Sequence, residues 1–259
     1  MYIPRLASAL TLYGSSTNTI TYGSNTVTLT QGLSQDNVAS NDLTATLRAW
    51  TPNLKVYNIN FINTRGEGSQ AVAVSAQADK QGYYGCTFQG YQDTILANEG
   101  NQVYLRSYIS GATDFIFGQR ARAWFGRCDI RIKGKGFITA NGRDAESNVS
   151  YYVVSDSDVK AADGLTLADG STYLGRPWRN WSRVVVQRTG LSKVVNAAGW
   201  VKWNDATPNT ENVFYREFGN TGTGASGTRA SFSSKLSAAV GMAEVLGSGY
   251  ASWVDTTYL

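Results

Sequence analysis

Two aspartates, Asp93 and Asp114, stand within "GYQDTILANEGNQVYLRSYISGATDFIFG" (Gly90 to Gly118), each among apolar and aromatic neighbours. Carboxylates held close together repel, so one keeps its proton to higher pH than the other. A pair of that kind can divide the roles of nucleophile and acid. Gln70 and Gln92 repeat a similar spacing one unit earlier in the chain. The competing reading is that both acids are turn aspartates making local hydrogen bonds.

Other chemistries are excluded by residue type. Histidine is absent, which removes every Ser-His-Asp or Cys-His nucleophile and most zinc sites. Cys86 and Cys128 lack metal-ligand spacing, and two cysteines define no disulfide framework. No acidic cluster suggests calcium. "GTGASG" (Gly222–Gly227) matches a G-x-G-x-x-G pattern, but Glu244, the acid beyond it, lies in a segment of helical spacing. A flexible loop is the better reading than a dinucleotide site. "KGKG" (Lys133–Gly136) reads as a solvated turn, and nothing resembles a nucleic-acid module. A net charge of +4 is mild and spread along the chain, so it does not by itself call for a polyanion. No apolar run is long enough to span a membrane.

The two acids can act together only if the chain brings residues one repeat apart into contact. Just 16% of residues are charged, while Gly (27) and Tyr (15) are abundant, a composition for strands and many turns. "KVYNINFIN", "GYYGCTFQG", "VYLRSYISG", "AWFGRCDIR" and "YYVVSDSDV" each look strand-like and end in turn residues. Aligning Phe61, Phe88, Ile109, Ile130 and Val159 gives a solenoid repeat. Without long amphipathic helices between strands, an all-β, single-stranded parallel β-helix fits best. Successive coils then lie about 4.8 Å apart. Asp93 and Asp114 fall on neighbouring coils, and Gln70, Gln92, Asp93 and Asp114 cluster on one face. Cys86, Ser107 and Cys128 become equivalent positions. Two coil rises separate the cysteines by about 9–10 Å, too far for a disulfide, so both are expected as reduced, interior thiols. Beyond Val159 the pattern loosens. "SFSSKLSAAVGMAEVLGSG" carries near-helical apolar spacing at Leu236, Val240 and Val245 and predicts a closing helix. With no linker, residues 1–259 read as one domain.

"GSQAVAVSAQADKQGYYGCTFQGYQDTI", "GATDFIFG" and "YLGRPW" resemble, in order and spacing, signature segments of pectin methylesterases, most closely the fungal members. The tail from "AGWVKWN" to "TRASF" continues the likeness. The resemblance implies a right-handed β-helix whose shallow cleft takes methyl-esterified homogalacturonan. It implies Asp114 as nucleophile, Asp93 as acid/base, and Gln92 and Gln70 as oxyanion donors. Arg176 would orient the nucleophile and Trp178 contact the sugar, with Phe117, Thr113 and Tyr91 as further cleft contacts. No metal or organic cofactor is required. An ionised carboxylate attacking an ester carbonyl gives an acyl-enzyme anhydride, which suits a chain without histidine. The family's helix and first strand before "YIP" are absent from this sequence, so an exposed edge is expected there. "SDSDV" brings Asp156 and Asp158 where an apolar strand is expected, and so a weaker coil.

Two alternatives remain open from the residues. A β-helical glycosidase also needs paired carboxylates, and a lyase needs calcium-binding acids and a base. A non-catalytic pectin-binding β-helix would hold the polymer and release nothing. The expected state is a secreted monomer without nucleic-acid or membrane partners, secretion resting on the resemblance alone. Asn148 and Asn180 are glycosylation acceptors by pattern, Asn148 being preferred because Asn180 adjoins Trp178. Trp181 and Trp203 are lesser candidates for stacking on sugar.

Overall fold

The computed structural model describes residues 1–259. It is a right-handed parallel β-helix in which seven coils each contribute one strand to each of three parallel sheets, and two further strands extend the second sheet. The first sheet contains, in order, Tyr2–Ile3, Leu47–Ala49, Val74–Gln77, Ile95–Glu99, Ile116–Gly118, Gly136–Asn141 and Thr172–Gly175. The second has nine strands, from Leu10–Tyr13 to Ser233–Lys235, and the third has seven, from Val27–Gln31 to Gly190–Leu191.

Each strand-like stretch picked out in the sequence turns out to be two strands. "VYLRSYISG", for example, divides into the end of Asn101–Leu105 in the second sheet and Tyr108–Gly111 in the third. The break is a sharp corner made by one left-handed residue: Asn58, Gly85, Arg106, Arg127, Asp156 and Arg188, with φ between 47° and 55°. Non-glycine residues adopt this conformation at a cost, and here they do so coil after coil. The next residue points inward, and at three corners its hydroxyl closes the turn with a hydrogen bond. Ser107 Oγ accepts from Cys86 N (3.1 Å), Ser157 Oγ from Cys128 N (3.0 Å) and Thr189 Oγ1 from Ser157 N (3.4 Å). Cys86 and Cys128 are buried and unpaired in this column, and burial pushes both thiols up to about 12.

The interior is filled by stacks running along the helix axis. Phe61, Phe88, Ile109, Ile130 and Val159 are consecutive register partners, as the sequence alignment expects, and the column extends to Leu29 and Leu191. A second column stacks Tyr83 on Tyr104 (4.9 Å) and Tyr104 on Phe125 (4.7 Å). Each fully buried aromatic or aliphatic side chain contributes about 1.5–3 kcal/mol. The buried tyrosine hydroxyls are satisfied by Gln81 and Gln102, whose amides donate to backbone carbonyls of the adjoining coils.

Several expectations are corrected. Asp156 and Asp158 do not weaken their coil, because both point outward to arginines: Asp156 to Arg188 (2.7 Å) and Asp158 to Arg131 (3.0 Å). Lys133 is not solvated; it is half-buried and its ammonium donates to the Gly90 carbonyl (3.0 Å). "GTGASG" is no loose loop, since Gly224 is buried against Ser192 and held by Arg229 (2.8 Å). The closing helix spans only Met242–Leu246, because Ser233–Lys235 continues the second sheet as its edge strand.

Candidate active site

Both acids occupy the corner between the third and first sheets. Asp93 lies between Thr87–Gln89 and Ile95–Glu99, and Asp114 holds the same place one coil on. The two corners are joined by the Gln92–Thr113 bridge and by Asp93 N donating to the Thr113 carbonyl (3.0 Å). Asp93 and Asp114 adopt left-handed backbone, φ 65° and 50°, a conformation that aspartate tolerates better than most residues. The strands that follow send Ile95 and Ile116 into the core and Leu96 and Phe117 to the outer face. Gln70 is one residue out of strict register, because Val74 pairs with Ile95 and so Ala71, not Gln70, corresponds to Gln92. It still reaches the same cavity.

That cavity, about 280 Å³, is lined by Gln70, Gln92, Asp93, Asp114, Phe117, Arg176 and Trp178, and also by Gln35, Asn41, Ala140 and Trp203. The side-chain amides of Gln70 and Gln92 make no hydrogen bond within the protein and are free for a bound group. Asp114 receives a two-pronged contact from Arg176, Nε to Oδ1 at 2.9 Å and Nη2 to Oδ2 at 2.6 Å. Burial raises the Asp114 carboxyl above the ordinary carboxylate range, while the Arg176 hydrogen bonds and charge pull it back. Asp93 has no cation in contact. Burial, then the Asp114 charge, push its carboxyl well up, opposed by a hydrogen bond from Asn41 Nδ2 (3.0 Å) and by the more distant Arg176 charge. Asn41 is in turn held by Gln35 (2.7 Å). The two adjacent acids are therefore shifted unequally: Asp93 is pushed well up, and Asp114 less far, because Arg176 favours its charged form.

Beside the acids the floor is apolar: Leu96, Phe117 and Ala140 succeed one another on adjacent coils, with Trp178 and Trp203 packed against them. Arg176 follows directly on Gly175, whose register partner is Thr139. Trp178 lies over Gly142, where a Cβ would come within 2.6 Å of the indole. Asn209 fastens the 201–212 loop to the turn bearing Trp178 by donating to the Pro177 and Trp178 carbonyls (3.2 and 3.1 Å). Thr113 and Tyr91 lie outside the cavity lining, Tyr91 with its hydroxyl toward Gly134. Gln35 and Asn41 were not legible in the sequence, coming from the irregular segment before the repeat settles. Ser40, which caps the short helix Asn41–Thr44, is the signal that could have placed them. The preferred glycan acceptor Asn148 already donates its amide nitrogen to Gln119 O and Asp144 Oδ1 (3.1 and 2.8 Å), whereas the Asn180 amide nitrogen makes no such bond.

A larger cavity, about 560 Å³, lies under the C-terminal segment beside Leu105, Trp124, Val240 and Met242. It brings no amides or paired acids together. No three Cys, Asp or Glu side chains converge as a metal-ligand set. An open cleft on a β-helix, walled by paired carboxylates, free amides and tryptophans, defines a carbohydrate-active β-helix protein.

Comparison with known proteins sharpens that class. The pectinesterase family model matches residues 9–241. A pectinesterase of Aspergillus aculeatus is 51% identical over 100% of this chain and 80% of its own length, and one of Aspergillus niger has the same figures. The crystal structure of the pectin methylesterase from Aspergillus niger superposes with a TM-score of 0.93 at 41% identity, covering 99% of this chain and 84% of that one. Pectin methylesterase from carrot gives 0.84 at 26% identity, covering 97% and 85%. The chain belongs to the pectinesterase family.

Proposed function

We propose that the protein hydrolyses the methyl esters of homogalacturonan, releasing methanol and pectate, with Asp114 as nucleophile and Asp93 as acid/base. The carrying observation is the unequal treatment of the two acids: Arg176 grips Asp114, and Asp93 beside it has no cation in contact. An Asp114 oxygen attacks the ester carbonyl carbon, and the developing oxyanion receives hydrogen bonds from Gln70 and Gln92, worth roughly 3–4 kcal/mol per donor in comparable sites. As the C–O bond to the methoxy group breaks, the proton on Asp93 passes to the leaving oxygen, giving methanol and an acyl anhydride on Asp114. Asp93, now a carboxylate, takes a proton from water. The hydroxide attacks the acyl carbon, the anhydride C–O bond breaks, and Asp114 returns as a carboxylate. Trp178 and the floor of Leu96, Phe117 and Ala140 suit the apolar face of a sugar ring and an uncharged ester.

The substrate is a wall polymer, so the protein acts outside the cell; no helix is long and apolar enough to cross a membrane. The test is methanol release from highly methylated pectin, with Asp114→Asn alongside and polymer length followed in the same tube. Methanol from the parent alone, at constant polymer length, is expected. Shortening of the polymer would indicate a glycosidase or lyase, and binding without methanol a non-catalytic β-helix.

A further inference from the structure

We propose that Phe137 and Trp203 are positioning residues for the nucleophile, clamping the Arg176 guanidinium between two rings so that its donor edge is aimed at Asp114. The proposal rests on the assignment of Asp114 as nucleophile made above. Arg176 Cζ lies 4.0 Å from the Phe137 ring centroid and 4.1 Å from that of Trp203. A guanidinium is planar, stacks on aromatic faces and donates only from its edge. With both faces covered, what remains is the edge, and its Nε and Nη2 corner is occupied by Asp114. Nη1 makes no hydrogen bond to the protein.

The clamp is assembled from separate segments. Phe137 comes from the strand Gly136–Asn141, one coil beyond Asp114, and its N–H donates to the Ala112 carbonyl (2.9 Å). Its ring packs alongside Tyr173 of the following coil at 5.9 Å and 24°. Trp203 comes from the loop after Trp200; its N–H donates to the Pro208 carbonyl (3.0 Å), and Asn209 anchors that loop. Both rings lie over the Arg176 guanidinium, through which each acts on Asp114.

The charge balance at Asp114 shows why such a device matters. Apart from Arg176, the titratable groups facing Asp114 are Asp93, which repels it, and the fully buried Tyr215 hydroxyl, whose proton burial retains. Arg176 is therefore what keeps a buried Asp114 in its attacking form. Its side chain is 20% exposed, so an unclamped guanidinium could turn toward water and weaken the pair. Loss of either ring should let Asp114 hold its proton to higher pH, and loss of the Phe137 ring should leave the fully ionised enzyme as fast as before. Phe137 does not line the cavity and Trp203 does. Removing Phe137 should therefore spare KM, and removing Trp203 should alter it.

The experiment compares the parent, Phe137→Leu, Phe137→Tyr and Trp203→Leu as full chains. It follows kcat/KM for methanol release against pH, and the Asp114 carboxyl carbon by NMR, assigned through its loss in Asp114→Asn. For Phe137→Leu, kcat/KM at the acidic end should fall about fivefold, with no change on the plateau, KM within twofold, and the carboxyl titration displaced the same way. Phe137→Tyr should restore the parent profile. An unmoved acid limb and carboxyl titration in a folded Phe137→Leu, or no rescue by tyrosine, overturns the clamp. Should Phe137→Leu fail to fold, Trp203→Leu decides by the same two readouts, since its loop lies outside the coil. A parent that releases no methanol refutes the assigned function instead, and the carboxyl titration then judges the clamp alone.

Discussion

Arg176→Ala should destabilise the protein by an amount that depends on pH in a defined way. Removing one member of a fully buried ion pair costs about 3–5 kcal/mol, because the other charge is left uncompensated. Here the Asp114 side chain is 8% exposed and that of Arg176 20%, so water softens the loss to about 2 kcal/mol. The two ring contacts go as well, at about 0.5–1 kcal/mol each. The neutral-pH deficit is then about 3–4 kcal/mol, roughly a 10 °C fall in midpoint for a chain of this length. Without Arg176 the folded-state pKa of Asp114 rises further above its unfolded value of about 3.9. A group raised in this way contributes no penalty below the unfolded pKa and a growing one as pH rises through the folded pKa. Near pH 3 only the ring contacts are missed, so the deficit should shrink to about 1–2 kcal/mol. Urea unfolding followed by circular dichroism at both pH values, in a cycle with Asp114→Asn, measures this. The coupling should be about 2 kcal/mol at neutral pH and near zero in acid. Equal deficits at both pH values, or no coupling at neutral pH, would refute the charge reasoning.

Three further outcomes are expected. Asp93→Asn should abolish methanol release yet raise the unfolding midpoint at neutral pH, because burial and Asp114 hold its carboxyl well up; the gain should vanish below about pH 3.5, as melts across pH will show. Gln92→Ala should lower kcat about 10²–10³-fold with KM little changed, read from steady-state methanol release. Cys86 and Cys128, buried with thiols pushed up to about 12, should resist a disulfide reagent at pH 8 until the protein is unfolded and then both react.

The coil spacing was legible because a β-helix writes its register into the chain: the same inward positions recur at each turn. Phe61 through Val159 formed the stack that the alignment required, and the same register placed Asp93 beside Asp114. Corners were less legible. A left-handed arginine such as Arg106 or Arg127 carries no turn signature, so two strands and their corner looked like one. Lys133 misled for a related reason, since a lysine in a short Lys-Gly-Lys-Gly run looks solvated until the stacked coils offer the Gly90 carbonyl. Phe137, Asn41 and Gln35 join the site through non-periodic contacts with Arg176, Asp93 and Asn41 respectively, about which spacing is silent.

The corner column also has something to say about how this chain can change over generations. Cys86 to Ser107 is a step of 21 residues, whereas Cys128 to Ser157 takes 29 and Ser157 to Thr189 takes 32. The surplus in the later coils is housed in their loops, among them the stretches leading to Trp178 and Trp203. A coil of 21 residues holds no such slack. One residue gained or lost between Asp93 and Asp114 would turn strands inside out or part the acids. Insertions and deletions in descendants should therefore gather after Ile132 or in the longer coils before Phe88, leaving the short coils between to vary by substitution alone.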